Sequence, residues 1–428
     1  MPQLKAAQRQ DGWSNLFTGV GRMETDKRMS TKFDRITVLQ ERELADMYRG
    51  EGFAQRVVDQ PVDDMTREWY YVKGDGENLV IQKMDTLKGK LEVQRLLKWS
   101  RLYGGAVMVI GADDGGKLDQ PLNEGRLQTI KYLKVYDRWR ITWSTSDLYT
   151  DPMSPKFNEV QWYNISPISG MPFRVHESRC IRVDGIDLPD MIKQENMGWG
   201  DSALQSVFEK IRSLASVYDG CEIIIDDFVQ GALTIDNLQE MIQAGQEDLI
   251  IRRLHLIDMS RHMINTMLLD KNEKYEKHST TASGLPDLID RFAQAVSAVT
   301  GIPLTLLFGR SPGGLNATGE SDIRGWYDKV ASMQEDQLQS VLERLTYLIM
   351  KSRLDGFHGN EPDNWYICFN PLWQQSDKET AETRKAVADA DNIYLSTGVL
   401  TPEEVAISRF GGDSYSMETK LADNRSEA

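Results

Sequence analysis

Cysteine is scarce in this chain. Only Cys180, Cys221 and Cys368 occur in 428 residues, far apart and without any C-x-x-C. Neither a disulfide framework nor a metal site of the zinc type is expected, and the three read as small buried hydrophobes. Long apolar runs are missing as well. With a mean hydropathy of -0.47 and no uninterrupted apolar stretch of about 18 residues, a membrane partner is not expected. The first ten residues carry Lys5 and Arg9 but no apolar core of a secretory leader, so the chain is expected to stay in the cytosol that makes it. Also lacking is any block of basic residues. Against 50 Lys plus Arg stand 65 Asp plus Glu, a net charge of -15, and a surface of that sign repels a polyanion. Sequence-specific DNA binding needs clustered cations and is therefore not expected. A conduit through which DNA slides is compatible with the same charge, because sliding requires few and weak contacts.

What the sequence does have is periodicity of two kinds. Residues 1–30 are polar and irregular and read as a flexible arm. A helix is expected over 39–50, then a second short one that Pro61 stops or restarts. Aromatic and β-branched stretches at 69–72, 106–110, 131–143 and 159–164 alternate with turn residues such as those at 74–76 and 113–116. A helix at 87–99, with Leu91, Leu96 and Leu97 as core contacts, lies among them, so 31–198 reads as a mixed α+β body. From Asp201 the spacing changes to threes and fours. Leu204, Val207, Phe208, Ile211, Leu214, Tyr218, Ile224, Ile225 and Phe228 predict an amphipathic rod over 202–229, roughly 40 Å long at 1.5 Å per residue. A small unit follows, helical around 238–256, β-like at 264–269 and charged over 270–277. A second rod begins at Leu285, with Leu288, Ile289, Phe292, Val296 and Val299 on one side and Asp287, Asp290, Arg291 and Gln294 on the other. Glycine and proline then break the helix over 300–322, and a long helix restarts near 318–321 and runs to about Ser352.

This order resembles the portal proteins of tailed phages. The motifs that carry the likeness are TGIP at 300–303, the stretch LFGRSPGGLNATGE at 307–320, VVD at 57–59, DDMTREW at 63–69, SDKE at 376–379 and GVLTPEEV at 398–405. The likeness extends over nearly the whole chain from about residue 31. It implies an α+β portal-type fold: a flexible arm (1–30), a mixed wing (31–198), a stem helix (199–230), a small clip insert (231–284), a second stem helix (285–300), a tunnel loop (301–318), a long helix with the wing return (319–375) and a short helical crown (376–428). Also implied are a twelve-subunit homo-oligomeric ring at the portal vertex of a virion, non-specific passage of double-stranded DNA, and docking of terminase and then the head-tail adaptor. Major capsid protein and scaffold are the other implied partners, and no cofactor, metal or catalytic residue is implied.

Within that frame Arg310 is the candidate phosphate contact of the loop, with Ser311, Gly313, Gly314 and Asn316 beside it. A surface loop that never meets DNA is the competing reading. No Lys-Ser or Lys-Thr follows the glycines, so the loop is not a nucleotide-binding P-loop. Lys210, Arg212 and Arg291 on the two rods are candidate DNA contacts, set against the plainer reading as solvated helix surface. Two function classes stand as alternatives. A phosphodiesterase would use two His-x-Ser/Thr pairs, His176 with Ser178 and His278 with Thr280, as general acid and base on neighbouring strands. A non-viral helical scaffold would need neither a ring nor DNA.

Overall fold

Seven consecutive residues from Gly105 are buried, and the strand they begin organises half of the molecule. The structure is a computed structural model that describes residues 38–75, 78–226, 229–234, 274–279, 284–309, 319–373 and 377–411, with scattered positions at 243–256 and 416–419. Strand β2 (Gly105–Asp113) lies between β3 (Thr129–Asp137) and β7 (Cys180–Asp184), antiparallel to both. Alternation of side chains along a strand sends Ala106, Met108 and Ile110 into the main core and Val107 and Val109 into a second, smaller one. That second core is closed by the sheet β4 (Ile141–Thr142), β5 (Trp162–Ile165) and β6 (Phe173–His176), through Ile141, Tyr163, Ile165 and Val175. Gly105 is required where Trp199 lies flat on the strand, since a Cβ there would stand 2.2 Å from the indole ring.

The main core is helical. It is built by α1 (Glu41–Gly50), α2 (Gly52–Arg67), α3 (Leu79–Thr86) and α4 (Gly89–Tyr103), with β1 (Tyr70–Lys73) pairing with the distant β10 (Tyr366–Phe369). In α4, Leu96 and Leu97 are fully buried as expected, but Leu91 is exposed, because the helix starts at Gly89 and turns that position outward. Pro61 does not end α2. The helix runs through it, and the carbonyls of Val57 and Val58 accept hydrogen bonds from Arg101 at 2.9 and 3.2 Å. The proline has no N–H for the Val57 carbonyl, and the guanidinium supplies the missing donor. Burial lowers the pKa of Arg101 to about 10, so it still carries its charge at neutral pH.

From this body, after the short helix α5 (Asp190–Glu195), an arm leaves and returns. Residues 202–207 are tight turns, not the first turns of the rod, because Ser202 caps them against the Leu102 carbonyl at 2.6 Å and Leu204 and Val207 are buried in the main core. Helix α6 is therefore Phe208–Asp226, 19 residues, or about 28 Å. After it, β8 (Val229–Thr234) pairs antiparallel with β9 (Lys274–Ser279), a ribbon where the sequence pattern predicted a helix end and a charged linker. The β-like run at 264–269 lies outside the described residues. α7 (Leu285–Thr300) packs back along α6. A short helix, α8 (Leu304–Phe308), sits in what the glycine and proline content marks as loop, between left-handed Gly301 and Gly309.

The long helix restarts at Glu320 as α9 (Glu320–Met333), passes through one π-helical turn at Gln334–Leu338 and continues as α10 (Gln339–Lys351). Its apolar side, Val330, Leu338, Val341, Leu342, Leu345, Leu348 and Ile349, is buried, and Ile323 and Tyr327 are half-buried. Two terminal helices close the chain, α11 (Asp377–Ser396) and α12 (Pro402–Phe410), joined by a buried two-bond pair between Arg409 and Asp391, each contact 2.7 Å. Among the described residues no helix is long and apolar enough to cross a membrane.

Candidate functional site

The loop residues on which the sequence reading rests, Arg310, Ser311, Gly313, Gly314 and Asn316, lie outside the described residues. What the structure does show is how the chain approaches and leaves them. On the approach, the C-terminal carbonyls of α8 have no partners within a helix of five residues. Arg56 of α2 supplies them, its Nη1 donating to the carbonyls of Leu306 and Leu307 at 3.0 Å each. Phe53, one turn earlier, packs on Phe308 with ring centroids 4.7 Å apart. On the exit, α9 is held against the other end of α2. The Trp326 indole donates to Asp64 at 2.7 Å, Arg67 donates to the Tyr327 hydroxyl at 2.9 Å, and the Gln334 amide inside the π-turn donates to the Met65 carbonyl at 2.6 Å. No local pattern announces Arg56, since its partners lie 250 positions away in sequence.

The basic residues predicted for the rods are all exposed. Lys210 and Arg212 lie on the first two turns of α6 and Arg291 in the middle of α7. Arg212 is already engaged, 3.5 Å from Glu209 and 6.0 Å above the Phe208 ring. The arm itself has a seam and an uncovered side. Ile211, Leu214 and Val296, at the base where α6 and α7 pack on the body, join the main core, and Cys221 and Ala293 are buried as well, whereas Tyr218, Ile223, Ile224, Leu288 and Val299 are exposed.

The two His-x-Ser/Thr pairs do not converge. His176 is buried at the end of β6, where its Nδ1 accepts from the Ser178 amide at 3.2 Å and lies 3.0 Å from the Ser178 hydroxyl. Its edge meets the Trp162 ring, and burial lowers its pKa, which favours the neutral imidazole. The Ser178 hydroxyl accepts in turn from the Leu122 amide at 2.8 Å. The pair is the cap of a turn. His278 lies on β9, opposite Gln230 of β8. Among the described residues β6 pairs with β5 and β9 with β8, so the histidines occupy different sheets. No group of three or more His, Cys, Asp and Glu among the described residues could hold a metal ion.

Comparison with known proteins adds the following. The family model described as phage portal protein matches residues 42–393. A Caulobacter sp. (strain RHG1) protein named anti-CBASS protein Acb1 is 29% identical over 456 residues, covering 97% of this chain and 71% of that protein. A Sphingomonas paeninsulae protein of the same name is 28% identical, and the chain spans 64% of its length. An uncharacterized Haemophilus influenzae protein is 27% identical, with 84% of this chain and 81% of that protein covered. Among solved structures, a chain from the neck of an empty GTA particle computed with C6 symmetry superposes with a TM-score of 0.50 at 13% identity, over 86% of this chain and 94% of the other. That likeness is one of fold.

Proposed function

Because the chain belongs to the phage portal protein family, we propose that it works as one subunit of a ring at a capsid vertex, through which double-stranded DNA is packaged and ejected. The observation that carries the ring is the arm. Beside its buried seam the helix pair carries exposed apolar side chains, Tyr218, Ile223, Ile224, Leu288 and Val299, which no layer of the described residues covers. A second copy, rotated about an axis, can. A contact between two different faces of identical subunits closes into a ring when the rotation divides the circle, and the resemblance implies twelve copies.

In this reading α6 and α7 are the stem, the ribbon β8–β9 belongs to the clip that meets terminase and then the head-tail adaptor, and the body around β2 is the wing, facing capsid protein and scaffold. The last two helices are the crown. The crossing from Gly309 to Gly319 is the tunnel loop, and Arg310 is its phosphate contact. Stem contacts to DNA fall to Lys210 and Arg291 before Arg212, whose guanidinium Glu209 already holds. A net charge of -15 keeps such contacts sparse, which suits passage without grip. The chain is assigned to the virion, assembled in the cytoplasm of its host. No hydrolytic step is assigned to it. What the name of the Caulobacter and Sphingomonas relatives describes is theirs, and both extend beyond the part that this chain matches.

Negative-stain imaging of the purified full chain is the test. Annular particles with a central hole are expected. Monomers or dimers alone at high concentration, both by themselves and with scaffold co-expressed, would overturn the proposal.

A further inference from the structure

We infer that α2 is a positioning strut for the crossing between Gly309 and Gly319, and that Arg56 is the residue that fixes where the chain enters it. The inference rests on the tunnel-loop reading above only for its consequence on DNA.

The geometry is economical. The residues of α2 that hold the approach are Phe53 and Arg56, and those that hold the exit are Asp64 and Arg67. Each pair is spaced three apart, and the second pair follows the first by eleven residues, close to three full helical turns. All four side chains therefore share one face of one helix. Both ends of the crossing are referenced to the same rod, so the distance between the two holding pairs is set by their eleven-residue offset along it, roughly 16 Å.

A rod can set a distance only if it does not bend, and proline is the usual cause of bending. Pro61 falls between the two pairs. Arg101 occupies the Val57 carbonyl at 2.9 Å, the position that the proline leaves without a donor, so the helix passes the proline with its hydrogen bonding complete. The exit side is the more heavily fixed. Arg67 also donates to the Leu372 carbonyl at 2.5 Å and lies 4.9 Å over the Tyr327 ring, and Trp326 is buried. The approach is held by one guanidinium and one aromatic pair. Arg56 is thus the adjustable end: its two bonds go to backbone carbonyls, so it senses the position of α8 and not the identity of any side chain there.

The experiment uses full-length chain assembled into rings and carried into particles. Trypsin cleavage after Arg310 reports directly on the crossing. In Arg56→Ala rings that cleavage is expected to speed up several-fold relative to cleavage elsewhere, with ring yield and melting temperature little changed and packaged DNA reduced. Arg56→Lys still presents donors to both carbonyls and is expected to restore the slow rate, which general loosening of the fold would not do. Should Arg56→Ala fail to assemble, Arg56→Met, which keeps an apolar stem and no donor, takes its place in the same assay. Cleavage after Arg310 that is unchanged in assembled Arg56→Ala or Arg56→Met rings overturns the strut. Deleting residues 309–314 separates the two readings: normal packaging by the deletion removes the DNA role of the loop, while a changed cleavage rate in Arg56→Ala would still uphold the strut.

Discussion

In the body of the molecule β2 is buried on both faces and divides its side chains between two cores, whereas the two helices of the arm share one seam and leave a second apolar set uncovered. The body also satisfies its charges internally. The side chains of Arg179 and Asp114 are both fully buried and 2.6 Å apart; the Gln120 carbonyl accepts a further Arg179 N–H and the Gly116 and Asn123 amides donate to Asp114, while Arg179 Nη1 is left without a partner among the described residues. On the arm the corresponding ion pair, Arg212 with Glu209, stands in solvent with about two thirds of each side chain exposed, where such pairs contribute little. The contrast separates two kinds of stability. Among the described residues the body is covered by its own chain, whereas the arm leaves large apolar side chains exposed.

The sharpest way to break that contrast is at Arg179. Arg179→Met strands the Asp114 carboxylate without its partner, and a loss of about 3–5 kcal/mol in urea unfolding is expected. Replacing both partners by apolar residues should recover most of it. The pair also predicts an acid response. Burial raises the pKa of Asp114, but the bonds from Arg179 and from the Asn123 and Gly116 amides outweigh it and hold the carboxyl below its ordinary value. A group depressed in the folded state stabilises fully above its unfolded pKa of about 3.9 and loses that contribution as pH falls below it. Wild-type stability should therefore drop across that acid window, and the Asp114 share of the drop should vanish in the double replacement. An Arg179→Met chain as stable as wild type would show that the body does not depend on its buried charge.

Next in size is the proline in α2. Arg101→Met leaves the Val57 and Val58 carbonyls without their donor, at a cost of about 2 kcal/mol. In a Pro61→Ala background the cost should shrink, since residue 61 then has an N–H for Val57. A double-mutant cycle measures this, with coupling of at least about 0.5 kcal/mol expected. Strict additivity would mean that Arg101 does not compensate for the proline.

Which parts of this were legible beforehand follows from how local their causes are. The rod at Leu285 and the helix from Glu320 to Lys351 are written in a repeat of apolar residues every three or four positions, a signal contained within the segment. The cap of α12 is equally local, Thr401 and Glu404 bonding each other's backbone. Pro61 misleads because its remedy, Arg101, lies forty positions on in sequence. The turns at 202–207 look helical by spacing, and only the packing of Leu204 and Val207 on the body undoes that. β9 carries Lys274, Glu276 and Lys277, so charge hid a strand whose partner is β8. At the candidate site the rod before the glycine- and proline-rich stretch and the long helix after it were visible, but not α8, nor Arg56 and Phe53, which act only through contact with it.

The smallest effect on the chain itself, and the one most specific to the arm, is expected at Ile223. Its side chain is 62% exposed, so Ile223→Asp removes little burial from the single chain, and its unfolding free energy should stay within about 0.5 kcal/mol of wild type. In a ring the same position would face another subunit, where an unpaired carboxylate costs far more. Mass photometry should then find single chains where wild type forms large assemblies. If the substituted chain assembles as well as wild type, Ile223 of α6 does not lie at the contact between subunits.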